Sequence, residues 1–140
     1  MTITLSTSNM KMNNDWWNQV FTLLAQKASY FRVHCWNDEI DEISHAKKFG
    51  HILTTSWKHG VIIEGQISDS FIHSITSSYS ATQRNGYNMM TPFFTIELDN
   101  IFSSSHYGTE VFIENVTADT IQDIDSILLS LNPPIELSKG

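Results

Sequence analysis

The chain has 140 residues, 41% of them hydrophobic, with 15 acidic and eight basic side chains and a net charge of −7. One core at this length removes roughly two thirds of the unfolded surface from water while two would each be marginal, so a single globular domain is expected and low-hydrophobicity disorder is excluded. The acidic excess argues against a general surface for phosphate backbones, and no direct nucleic-acid binding is expected.

The opening MTITLSTSNMKMNND has no basic start followed by an apolar run, and no stretch approaches the ~20 apolar residues that span a bilayer. Cys35 stands alone, so no internal disulfide and no paired-cysteine metal motif can form. A cytoplasmic protein without a membrane partner is the expectation. Residues 1–13 read as a mobile leader, although Ile3 and Leu5 alternate with Thr and suit a sheet edge as well. The main domain is placed at 14–134. From Asn14 or Asp15 a capped helix is predicted, because Trp16 or Trp17, Val20, Leu24 and Ala28 recur at helical spacing with Phe21 beside them. The alternating run Tyr30 to Trp36 predicts a strand with Phe31, Val33 and Cys35 on one side and Arg32, His34 and Trp36 on the other.

Asn37 reads as the cap of a helix over 38–49, whose acids come first, whose lysines come last and whose end is marked by Gly50. Two β-like runs, 51–57 and 61–67, are separated by Lys58-His59-Gly60, a hairpin signal. Residues 69–78 fit a helical turn or a strand equally well. The polar stretch 76–88, with its Asn85-Gly86 turn signal, reads as a flexible loop. Strands are predicted at 92–98 and 109–115, joined by a loop over 99–108. A final helix starts from a Thr117 cap, carries the stripe Ile121, Ile124, Ile127 or Leu128, and Leu131, and stops at Asn132-Pro133-Pro134. Residues 135–140 read as a loose tail. The fold class is α+β, a mainly antiparallel sheet flanked by the first and last helices.

No motif names a reaction. Glu42 and His45 share a helix face, but a carboxylate di-metal site needs a second Glu-x-x-His, and none is present. His34 and Cys35 are strand neighbours pointing to opposite faces, which excludes a dyad between them. No nucleophile elbow, phosphate loop or dinucleotide fingerprint occurs, so no catalytic residue, metal or cofactor is assigned.

The position of the charge says more than its total. Residues 1–84 carry seven acids and seven bases, while 85–140 carry eight acids and one base, Lys139. Paired as a hairpin, the strands at 93–98 and 109–115 would bury Phe94, Ile96, Leu98, Val111 and Ile113. They would leave Phe93, Thr95, Glu97, Glu110, Phe112 and Glu114 on the opposite face. Aromatics among carboxylates suit a basic protein partner, the rings anchoring and the acids steering. The candidate partner-binding residues are Phe93, Glu97, Asp99, Glu110, Phe112, Glu114, Asp119 and Asp123; the competing view has Phe93 and Phe112 covered by a helix.

In size, acidity, single-domain character and lack of catalytic motifs, the chain resembles the small immunity proteins that bacteria encode beside secreted or contact-delivered toxins. That resemblance implies a one-to-one inhibitor that occludes the active or substrate-binding surface of a cognate protein toxin, commonly a basic nuclease, with a monomer favoured. No residue role carries over from it. In element order the chain is also similar to type III effector chaperones, which implies a homodimer holding an extended client. A small enzyme with a histidine-lined pocket around His45, His51, His59 or His106 is the third reading.

Overall fold

In the computed structural model, which describes residues 2–7, 13–55, 57–77, 79–84, 87–133 and 135–140, the chain enters its sheet at once. Strand β1 (Ile3–Thr7) turns Ile3 and Leu5 into the core, both fully buried, and leaves Thr4 and Ser6 on the other face. Residues 3–7 are thus an inner strand and not part of a leader, because the Ile-Thr-Leu alternation finds partners on both sides; the expected leader residues 8–12 lie outside the described residues. Helix α1 (Asp15–Ala25) buries Trp16, Trp17, Val20, Phe21 and Leu24 as its spacing predicts. Asn14 does not cap it. Its side-chain amide donates instead to the carbonyls of Tyr79 and Met90, both at 3.1 Å, tying the helix start to the excursion at 79–90.

Strand β2 (Tyr30–Trp36) has the predicted faces, with Phe31, Val33 and Cys35 buried. Burial pushes the Cys35 thiol up to about 12, an unreactive core group. Helix α2 (Ile40–Lys47) is shorter than the 38–49 expected. Asn37 is spent on the loop that enters the next strand: its N–H donates to the His59 carbonyl at 3.0 Å and its side-chain amide to that of Lys58 at 3.1 Å. Gly50 does not adopt a left-handed cap. A Cβ there would lie 2.3 Å from the Glu64 carbonyl oxygen, so close approach to the sheet is what requires glycine.

Strands β3 (His51–Ile52) and β4 (Gly60–Gln66) pair antiparallel, as the hairpin signal indicates, although the first is only two residues long. The ambiguous segment is helix α3 (Asp69–Ser77), which buries Phe71 and Ile75; Ser78 lies outside the described residues. Part of the expected 76–88 loop is a separate hairpin of β5 (Thr82–Arg84) and β6 (Tyr87–Met89), with Asn85-Gly86 outside the described residues.

Strands β7 (Thr95–Leu98), β8 (Phe102–Ser105) and β9 (Glu110–Ile113) correct the two-strand picture, since β8 lies between the two strands expected to pair. It escapes the hydrophobic pattern because an inner position is a serine: Ser104, fully buried, accepts the Trp17 indole N–H at 3.0 Å. Helix α4 (Ala118–Leu131) has the predicted Thr117 cap, whose hydroxyl accepts from the Thr120 N–H. It ends at a left-handed Asn132, and Pro134 lies outside the described residues. The expected loose tail is strand β10 (Ile135–Lys139), paired with β1 along its whole length.

The eight-stranded sheet runs β10-β1-β9-β8-β7-β2-β4-β3, every neighbouring pair antiparallel. The helices lie on one side of it, and the fold is α+β. The core between the layers is aromatic: Trp17 stacks on Phe21 at 5.0 Å, Phe31 on Phe71 at 4.0 Å, and Phe49 meets Phe71 edge-on. No helix among the described residues is long and apolar enough to cross a membrane.

Candidate functional site

Alternation along the strands sends a second set of side chains to the face that no helix covers. The register assembles them into rows. One row crosses the sheet as Thr4, Phe112, Ser103, Glu97, Arg32 and Glu64. Next to it, Ser6, Glu110 and Ser105 are in register across β1, β9 and β8, and Thr95, His34 and Ile62 across β7, β2 and β4. Side-chain contacts tie these segments together: Arg32 Nε lies 2.7 Å from Glu64 Oε2 and His34 Nε2 2.6 Å from Glu97 Oε1 across strands, and His106 Nδ1 in the β8–β9 turn lies 3.4 Å from Glu110 Oε1. The hydrogen bond from His34 holds the Glu97 carboxyl below its ordinary value of 4.5 against the opposing effect of partial burial, and the charges of His34 and Arg32 act in the same direction.

Four of the eight residues proposed from the sequence meet here. Glu97, Asp99, Phe112 and Glu114, with Asn100 and Ser103, line a pocket of about 90 Å³. Beside it, sharing Glu97 and Asp99, is a depression of about 290 Å³ bounded by Tyr30, Arg32 and Glu64. Asp99 has a structural duty as well. It sits in the turn between β7 and β8 at φ 47°, and its carboxylate accepts the N–H groups of Ser29 and Tyr30 at 2.9 and 3.0 Å. Glu110 occupies the same face one row away.

Three of the proposed residues lie elsewhere. Phe93 is 1% exposed and packs against His45 in the core, so it cannot touch a partner. The alternation does not extend back to Phe93: β7 begins at Thr95, and before it the chain is held by bonds to the 106–109 loop, with the Phe94 carbonyl accepting from the Tyr107 N–H at 3.1 Å. Phe94, assigned to the core by that parity, packs beside Trp36 at 5.0 Å and Tyr107 at 5.3 Å. Asp119 and Asp123 sit on exposed positions of α4, in the helical layer on the far side of the sheet.

The sequence reading missed the aromatic corner of this face. Trp36 and His34 project from β2, Trp57 from the loop before β4 lies 5.9 and 5.7 Å from them, and Phe94 continues the group to His106 and Tyr107. The alternation of β2 had already placed His34 and Trp36 on one side; Trp57 and Tyr107, in loops, left no periodic signal. The turn carrying Tyr107 runs through three left-handed residues, His106, Tyr107 and Gly108, a costly backbone that its hydrogen bonds hold in place. Trp36 and Tyr107 also wall an open cleft of about 1050 Å³ with His59 and residues 37–42, a stretch that includes Asp38, Glu39, Asp41 and Glu42. Glu39, 7% exposed, fastens the two walls: it accepts the Trp36 N–H at 2.8 Å and the Tyr107 hydroxyl at 2.9 Å.

The histidines named from the sequence do not gather into one pocket. His59 lines the cleft, His106 pairs with Glu110, and His51 lies on the edge strand β3. His45 is in the helical layer between Phe49 and Phe93, hydrogen-bonded to Ser74, and burial followed by the nearby Lys48 lowers its pKa from 6.5, with Glu42 opposing. Among the described residues no group of three His, Cys, Asp or Glu side chains is arranged to hold a metal ion. No family model, curated protein or solved structure matches the chain.

Proposed function

We propose that the chain is an immunity-type binding protein that neutralises a basic, nuclease-type toxin by docking the uncovered sheet face over the toxin's active or substrate-binding surface. The observation that carries this is the composition of that face: Phe112 stands among Glu97, Asp99 and Glu114 around one pocket, with Glu110 in the next row. An apolar ring bordered by carboxylates provides desolvated anchoring area and a negative field together, which is what a cationic protein surface requires. The acidic cleft next to Trp36 and Tyr107 enlarges the same negative surface.

The test is binding to a basic toxin domain encoded beside this gene, by calorimetry and stopped flow, together with growth rescue on coexpression. The association rate falls as salt rises, and Glu114→Lys or Glu110→Lys weakens binding about tenfold or more. Asp123→Lys, on the far layer, leaves it unchanged. Salt-independent binding that ignores the sheet-face reversals contradicts the proposal.

The enzyme reading retains one supporting observation, the 2.6 Å contact of His34 and Glu97 on the same face. It is separated by His34→Gln: a catalytic histidine loses turnover, whereas in the binding reading toxin affinity is retained within a few fold.

A further inference from the structure

The two edges of the large sheet are unlike. At one, β3 offers two residues. At the other, β10 is five residues long, has no proline or bulge, and pairs with β1 in unbroken register. Thr2 and Gly140 exchange both main-chain hydrogen bonds, so by the antiparallel alternation Ser138 and Glu136 also turn theirs toward β1. Ile135, Leu137 and Lys139 therefore turn their main-chain groups outward, away from the sheet. An edge of this kind is a template for another strand.

Two leucines mark the same edge. Lys139 Nζ reaches Asp125 Oδ2 on α4 at 2.8 Å, which fixes the helix over the strand. From that contact, two residues back along β10 and one helical turn on along α4 are nearly equal distances of roughly 6–7 Å, which puts Leu137 and Leu129 on the same flank of the molecule. Leu129 is 86% exposed and Leu137 48%, an apolar pair that the single chain leaves in water.

We propose that the occupant of this edge is a second copy of the chain, added by antiparallel pairing of β10 with β10 about a two-fold axis at Leu137. The register is self-complementary. The two Leu137 residues exchange both N–H to carbonyl bonds. Each Lys139 N–H meets the other copy's Ile135 carbonyl, the Ile135 N–H being already committed to the Pro133 carbonyl at 2.9 Å. Glu136 stands opposite Ser138 and Lys139 opposite Ile135, so no like charges face each other. The Leu137 side chains meet at the axis on the helical side and cover each other, with Leu129 on the same flank, while the two sheets join into one of sixteen strands with both acidic faces free. The inference is independent of the toxin-binding reading, since the sheet face and the edge share no residue.

Sedimentation equilibrium of the intact chain across the micromolar range at physiological salt tests it. The expected mass is twice the 16.0 kDa of the chain. Leu137→Pro removes an outward N–H and none of the bonds to β1, so the variant is expected to be a monomer with the wild-type circular dichroism spectrum. Leu129→Glu, remote from the strand backbone, is expected to weaken dimerisation about tenfold or more and serves if the proline variant does not fold. A wild-type chain of single mass throughout, which would leave the edge to some other strand, overturns the proposal. So does a dimer that both variants leave intact.

Discussion

The two faces of the large sheet are made by alternate residues of the same strands, and they differ in everything that matters for function. On the helical side, Ile3, Leu5, Phe31, Val33, Ile96, Leu98, Val111 and Ile113 are fully buried. On the other, their immediate neighbours Thr4, Arg32, His34, Glu97, Glu110, Phe112 and Glu114 meet no helix. One face is committed to stability, so its substitutions are felt through packing. The other is held by paired charges and spared from the core, so its substitutions should be felt through binding.

Exchanging large core residues breaks this contrast most severely. Phe71→Ala removes the ring stacked on Phe31 and is expected to cost about 3–5 kcal/mol in urea unfolding, while Phe112→Ala on the open face costs well under half of that. A sharper pair lies in β8. Ser104→Ala strands the buried Trp17 indole N–H and should cost about 1–3 kcal/mol, whereas Ser103→Ala, one residue away on the open face, should stay within about 0.5 kcal/mol. Removing the Thr117 cap of α4 by Thr117→Ala is expected to cost about 1 kcal/mol, read from the same unfolding curves.

Acid separates the faces by different titrations. His45, in the helical layer, has its folded pKa lowered below 6.5, so the unfolded chain takes up a proton first; stability is complete above 6.5 and declines as pH falls toward the folded value. His45→Gln should flatten that decline. Glu97, on the open face, is lowered below 4.5, so its contribution is present above that pH and is lost only at more acid values; Glu97→Gln should flatten the lower limb alone. Melting temperatures across pH 3–8 distinguish the two, and each effect is reduced because both side chains are partly in water.

What the sequence made legible follows physical regularity. The α1 stripe, the β2 alternation and the Thr117 cap are local periodic signals, and they appear as read. β8 is hidden by a buried serine and β10 by being a short terminal segment, whereas the Ile3 and Leu5 alternation of β1 suits a sheet edge, as read, although the strand is an inner one. The candidate site was half legible for the same reason. Glu97 and Phe112 follow from parity within strands, and Glu114 from its continuation one residue past β9, whereas Phe93 and Phe94 exchange places where the strand has not yet begun. The division of charge by position along the chain differs from its division in space: the cleft at 37–42 carries four acids from residues 1–84, which are neutral as a whole.

The most direct test of the account is calorimetric titration of a basic toxin domain encoded beside this gene against the wild-type chain, Glu114→Lys and Asp123→Lys at two salt concentrations. The account predicts that Glu114→Lys weakens binding about tenfold or more and lessens its salt dependence, with Asp123→Lys matching the wild type. Equal binding by all three proteins, or a loss confined to Asp123→Lys, would contradict it.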